Sequence, residues 1–232
     1  MCNVAIFSFP GNLFRNVLCY IISVMKIFER VDLALDGLQV VKFAKFKDER
    51  GYFCESFKLS DFKTIDGFKD FEFMQSNESY SKKNVIRGLH FQWNPRMGKL
   101  VRTISGHMVD IALDIRKDSP TFGKAILYDM PQNIKDGEGQ WIWLPPGFAH
   151  GNFFLEDTLI EYFCTGSYNP ECERGISAFS SDIDFSLADK DLKNKFDEIK
   201  NKGAIVSYKD INGISLSAWK KDLNFPVFAY KN

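Results

Sequence analysis

The chain has 232 residues, enough for one sizeable domain or two small ones, and 45% of them are hydrophobic, enough to fill a core. Lys and Arg number 30, as do Asp and Glu, so the formal net charge is zero. That balance argues against an electrostatic nucleic-acid binder, and any anionic ligand has to be held by a few placed Arg and Lys side chains.

Residues 1–24 are unlike the rest. Two short apolar runs, 4–9 and 17–24, are split by Pro10-Gly11-Asn12 and Arg15. Neither approaches the ~20 residues needed to span a bilayer, and there is no basic stretch before them or small-residue cleavage site after them. Ordinary sequence begins at Met25-Lys26. The expectation is an N-terminal extension from a misplaced start over 1–24, one domain over 25–232, and no membrane partner.

From residue 38 onward short apolar runs alternate with turns. Residues 38–46, the turn 47–51 and residues 52–57 come first, followed by a short helix over 60–68 capped by Ser60. Residues 71–79 and 85–91 alternate. Residues 100–104 and 108–115, with Ser105-Gly106 between them, predict a hairpin. Residues 125–130, 141–144, 151–155 and 159–165 follow. With 23 Phe and frequent Val and Ile, this pattern predicts an all-β chain, a jelly-roll barrel. Residues 186–202 carry Leu187, Leu192, Phe196 and Ile199 at an imperfect helical spacing, which predicts a peripheral surface helix near the C-terminus. Residues 214–230 return to apolar, Pro-containing sequence that packs on the barrel.

The cysteines are Cys2, Cys19, Cys54, Cys164 and Cys172, odd in number and without a Cys-x-x-Cys. Their spacing offers neither a disulfide framework nor a zinc site, and reduced thiols in the cytoplasm are the simplest reading. The only histidines are His90, His107 and His150. A metal-binding jelly roll offers His-x-His, a nearby Glu and a distant His. Here Gln92 stands at the second position and no Glu follows closely, so no metal or other cofactor is expected.

A lone histidine is usually a satisfied core residue. His90, however, has Arg87 three residues before it, a cation costly to bury without an anion. Lys99 opens the next strand, and His150 sits in a Gly- and Pro-held turn. Cations and imidazoles at strand ends suit a pocket for a phosphorylated, carbonyl-bearing ligand. His107, at the hairpin turn, is expected to be merely exposed.

An ordered set of motifs now resembles one family. It comprises Asp48-Glu49-Arg50-Gly51-Tyr52-Phe53-Cys54-Glu55-Ser56-Phe57, Gln75-Ser76-Asn77-Glu78-Ser79, Val85-Ile86-Arg87-Gly88-Leu89-His90-Phe91-Gln92 and Gly98-Lys99-Leu100-Val101. Asp114-Ile115-Arg116-Lys117-Asp118-Ser119-Pro120-Thr121-Phe122-Gly123, residues 146–151 and Glu173-Arg174-Gly175-Ile176 complete it. The chain resembles the dTDP-4-dehydrorhamnose 3,5-epimerases, nucleotide-sugar epimerases of the cupin fold.

The resemblance implies a cofactor-free enolate reaction on a nucleotide-diphosphate 4-keto-6-deoxy sugar. It implies His90 as the base, oriented by a late carboxylate in a Leu-Ser…Lys-Asp…Pro stretch. Leu216-Ser217 with Lys221-Asp222 and Pro226 favours Asp222, with Asp189 and Asp191 competing. Lys99 and His150 would steady the enolate. The acid would be Tyr162 counted back from Pro170, or Phe163 counted forward from His150; only Tyr162 has a proton to give. Arg50, Arg87, Gln75 and Asn77 would grip the diphosphate and sugar, with Arg174 in the binding set as well. Phe53, Glu55 and Tyr168 would surround the base. The family implies a homodimer with exchanged strands or arms. The remaining alternatives are inversion at one carbon only, a heptose substrate, a metal-dependent cupin isomerase or dioxygenase, and a non-catalytic sugar-nucleotide binder.

Overall fold

The structure, a computed structural model, describes residues 27–132 and 137–230. The extension expected over 1–24 lies outside the described residues. The strands are β1 (Ile27–Asp32), β2 (Gln39–Ala44), β3 (Phe46–Asp48), β4 (Gly51–Phe53), β5 (Gln75–Ser81), β6 (Ile86–Gln92), β7 (Lys99–Asp114), β8 (Ala125–Gln132), β9 (Glu138–Leu144), β10 (Phe148–Phe154), β11 (Thr158–Cys164) and β12 (Glu173–Gly175). The helices are α1 (Leu59–Phe62), α2 (Lys190–Gly203), α3 (Tyr208–Ile211) and α4 (Leu216–Lys220), with 3-10 turns at Pro170–Cys172 and Phe225–Phe228. None of these helices is long and apolar enough to cross a membrane.

One strand organises the rest. The first part of β7 pairs antiparallel with β9 and β11; its second part pairs with β8 and β10. Two sheets result, β1-β2-β9-β7-β11-β5 and β8-β7-β10-β6-β12, which is the jelly-roll architecture expected. The hairpin expected at Ser105-Gly106 is not formed. β7 runs through it, and Gly106, at φ +92°, lets the strand pass from one sheet to the other where a Cβ would lie 2.4 Å from the Asp157 carbonyl.

Strand alternation sorts the apolar residues into three layers. Between the sheets pack Val40, Val101, Met108, Ala112, Ile142, Phe148, Phe154 and Ile160. Outside the second sheet lie Val109, Ile111, Leu113, Ala149 and Phe153, covered by Leu192, Phe196 and Ile199 of α2 and by Trp219 of α4. Outside the first sheet, Leu100, Trp141 and Trp143 meet Phe62, Ile65 and Phe68. Each truncation of a buried aromatic here costs about 3–5 kcal/mol.

α2 begins later than the sequence pattern suggests, because the Asp189 carboxylate caps it by accepting from the N–H groups of Asp191 and Leu192. α1 begins at Leu59 rather than after a Ser60 cap; its flanking residue Lys58 makes no side-chain cap bond.

The local feature that matters most for function is in β6. Ile86, Leu89 and Phe91 all join the layer under the helices, a spacing of three and then two. Gly88, at φ +98°, absorbs the extra residue, and the pairing with β10 shifts register between His150 and Asn152. This bulge turns His90 toward the space between the sheets. An alanine Cβ at Gly88 would lie 2.6 Å from the His150 carbonyl and the Gly151 Cα. Gly88→Ala should therefore lower stability by roughly 2–4 kcal/mol in urea denaturation; a loss under about 1 kcal/mol would show that the bulge is not constrained in this way.

Candidate active site

A cavity of about 260 Å³ is lined by His90, Gln92, Lys99, Tyr162, Cys164 and Glu173, together with Gln75, Asn77, Phe91, Met97 and the exposed Tyr168. Register explains the grouping. His150 and Gly175 flank His90 on the neighbouring strands. Asn77 lies opposite Tyr162, and both Gln75 and Lys99 lie opposite Cys164. Side chains two apart on one strand share a face, so Tyr162 and Cys164 both look inward.

The same alternation decides between Tyr162 and Phe163. Tyr162 packs against the layer between the sheets. Phe163 points outward into the aromatic layer, with its ring centroid 4.6 Å from that of Phe57 and 5.3 Å from that of Trp141. Burial and the nearby Cys164 and Glu173 push the Tyr162 phenol up, and only Arg87 pulls it down.

His90 Nε2 lies 2.6 Å from Asp210 Oδ1, with the imidazole 27% exposed and the carboxylate 7% exposed. Asp210 sits on α3, whose cap is Ser207: its hydroxyl accepts from the Asp210 N–H. Burial alone would push the Asp210 carboxyl up. Hydrogen bonds from His90, Ser207 and the Gly88 N–H, with the imidazole's field, outweigh it and hold the carboxyl below its usual value. An ionised carboxylate only accepts, so at this contact Nε2 is the donor.

α3 belongs to a strap over residues 205–214. Ile205 exchanges backbone hydrogen bonds with Asn84 and Ile86 at one end, and Ile214 with Gly175 and Ser177 at the other. The strap therefore crosses beside β6 and carries Asp210 to the imidazole.

The carboxylate that the structure sets against His90 is thus Asp210, not the expected Asp222, nor Asp189 or Asp191. Asp222 accepts from the backbone and side-chain amides of Asn224 and closes a turn after α4. Asp189 caps α2, and Asp191 stands in its first turn. The compact signal was present in Ser207-Tyr208-Lys209-Asp210: serine before a one-turn helix, then Lys-Asp.

His150 is buried and forms a second pair, with Nε2 2.7 Å from Asp110 Oδ2; Asp110 Oδ1 has no hydrogen-bond partner among the described residues. Burial pulls the Lys99 ammonium down, against the fields of Cys164, Glu173 and Asp110. Desolvation likewise pushes the Cys164 thiol up. Gln75 Nε2 donates to Asn77 Oδ1, and Gln75 Oε1 accepts from the Tyr168 N–H.

Gln92 is fully engaged. It donates to the carbonyls of Pro95 and Ser167 and accepts from the Asn169 N–H, pinning the loop that carries Tyr168. Among the described residues, no three His, Cys, Asp or Glu side chains converge as a metal site would need.

Other expected site residues lie outside the cavity wall. Arg87 is exposed and donates to the Ser81 hydroxyl and the Tyr80 carbonyl. The Arg174 guanidinium stacks 5.5 Å over Trp93. Arg50 and Phe53 stand on the separate β3–β4 hairpin, with Phe53 66% exposed, and Glu55 follows it. His107 is not at a turn tip; it lies within β7, with Nε2 2.6 Å from Asp129 Oδ1.

A jelly roll that brings a carboxylate-paired imidazole, a lysine and a tyrosine to one cavity has the groups that acid–base chemistry at a carbon uses, as an isomerase would. Comparison with known proteins makes this specific. The family model for dTDP-4-dehydrorhamnose 3,5-epimerase matches residues 32–218. The dTDP-4-dehydrorhamnose 3,5-epimerase of Shigella flexneri is 41% identical over 170 residues, covering 72% of this chain and 84% of that protein. Its namesake from Methanothermobacter thermautotrophicus is 38% identical over 160 residues, covering 68% and 83%. The crystal structure of the Legionella pneumophila 3,5-epimerase in complex with dTDP-4-keto-L-rhamnose superposes with a TM-score of 0.71 at 28% identity, covering 88% of this chain and 98% of that one. The chain belongs to the dTDP-4-dehydrorhamnose 3,5-epimerase family.

Mutation should separate the two late aspartates. Asp210→Asn should reduce epimerase turnover by roughly 100-fold or more, as expected when a base loses its orienting carboxylate, while Asp222→Asn stays within about twofold. Equal losses in steady-state assays would contradict the pairing.

Proposed function

We propose that the protein inverts C3, C5 or both in a nucleoside-diphosphate 4-keto-6-deoxy sugar, without a cofactor, in the cytoplasm. The substrate is a hexose such as dTDP-4-dehydro-6-deoxyglucose or a GDP-linked heptose, and the product serves surface polysaccharide synthesis. The observation that carries this reading is the convergence of His90, Lys99 and Tyr162, from three strands, on one cavity.

The mechanism follows from proton acidity. The 4-keto group acidifies the protons on its neighbouring carbons. The free ring nitrogen of His90 takes one, and Asp210 steadies the imidazolium that forms. The negative charge moves to the ketone oxygen, where Lys99 supplies the cation, supported by His150. Tyr162 returns a proton from the opposite face, so the carbon leaves inverted. A partly desolvated lysine suits this task, because its field acts in a poorly screened cavity.

Gln75 and Asn77 hold the sugar, Arg87 the diphosphate and Tyr168 the nucleobase. Two copies of the chain form a homodimer, in which the β3–β4 hairpin of each delivers Arg50, Phe53 and Glu55 to the nucleotide end of the partner's cavity. The exposure of Phe53 on a hairpin outside both main sheets supports this.

In heavy water, the wild type should place solvent deuterium at the inverted carbon, read by NMR. His90→Ala should abolish exchange while retaining the wild-type circular dichroism; full exchange would sink the base assignment. Tyr162→Phe should keep exchange at the carbon facing His90 yet lose inversion by roughly 100-fold or more.

A further inference from the structure

The strap over residues 205–214 is fixed at both ends, and its middle, a four-residue helix, meets β6 through Asp210, which takes hydrogen bonds from His90 and the Gly88 N–H. One further tie joins this helix to the sheet. Lys209, next to Asp210, reaches back to the Glu173 carboxylate with its Nζ. Glu173 is only 12% exposed, while Lys209 is 56% exposed. Glu173 stands on β12 opposite Gln92, and Gly175 of the same strand stands opposite His90. The carboxylate and the imidazole are thus carried on one hydrogen-bonded ladder. The Lys209–Glu173 contact ties that ladder to α3, which also carries Asp210. Glu173 Oε2 also accepts from the Tyr168 hydroxyl at 3.2 Å, so Tyr168 and α3 converge on one oxygen.

We propose that Glu173 is a positioning residue for the His90–Asp210 pair, acting through Lys209. The inference rests on the role given to His90 above. Neither residue needs to touch the reacting carbon. The pair works because a carboxylate with little solvent access holds a cation more firmly than an exposed one does, and because adjacent residues on a short helix move together.

The test combines kinetics with a readout that needs no substrate. Lys209→Met, Glu173→Gln and the double variant are assayed for kcat and KM with a dTDP-4-keto-6-deoxy sugar. The three histidine rings are labelled with 15N, and the His90 signal is assigned by its loss in His90→Gln. Lys209→Met should lower kcat roughly 10- to 100-fold with KM within about threefold, and Lys209→Arg should restore most of it. The double variant should lose no more than the worse single variant, as expected for one shared link. The His90 ring should change from a single tautomer with its proton on Nε2 to a mixture. An unchanged His90 spectrum, an intact kcat, or a loss carried by KM in Lys209→Met would overturn the proposal. If the wild type turns over no keto sugar, the functional reading fails while the 15N comparison still decides the tie.

Discussion

The 2.6 Å contact between His90 Nε2 and Asp210 Oδ1 is the constraint on which the site depends. It joins residues 120 apart in sequence and fixes an imidazole that would otherwise rotate at the edge of an open cavity. The carboxylate stays ionised because it collects donors from three places: the imidazole, its own helix cap and the backbone at Gly88. The last of these matters structurally. The glycine that turns His90 inward also donates to the carboxylate paired with it, so the imidazole and its partner are both held at the same bulge.

The two-sheet architecture does the remaining sorting. β7 belongs to both sheets, and alternation along it sends Asp110 inward among Met108 and Ala112 while Val109 and Ile111 face the helices. β11 sends Tyr162 inward and Phe163 outward. The C-terminal cover holds the bulged strand from behind, where the Trp219 ring packs edge-on against Phe91 with centroids 4.5 Å apart. A rigid outer layer thus supports His90, Lys99 and Tyr162, although the cavity they line is open.

Much of this was legible in the sequence. Short runs with turns predicted the jelly roll, and the family resemblance placed His90, Lys99, Tyr162, Gln75, Asn77 and Tyr168, which line one cavity. What sequence could not resolve follows from register. Ser105-Gly106 reads locally as a turn, yet a glycine at positive φ serves equally well to bend one long strand between two sheets. Phe163 and Tyr162 are distinguished only by which face of β11 each occupies. Asp222 fitted a motif stretched by extra residues, whereas Ser207-Tyr208-Lys209-Asp210 carried it compactly. The choice between them is made by the backbone pairing of Ile205 and Ile214, contacts between residues distant in sequence. Glu173 was inside a quoted motif, but its ties to Lys209 and Tyr168 exist only in three dimensions.

Chemical rescue tests the central dependence most directly. Asp210→Ala removes the carboxylate and leaves His90 in place beside a small gap. Deuterium wash-in by this variant should be weak, and added formate should restore it in a saturable way, while formate does nothing for His90→Ala. A folded Asp210→Ala variant that exchanges at the wild-type rate, or that formate never rescues, would contradict the assignment of Asp210 as the group that orients the base.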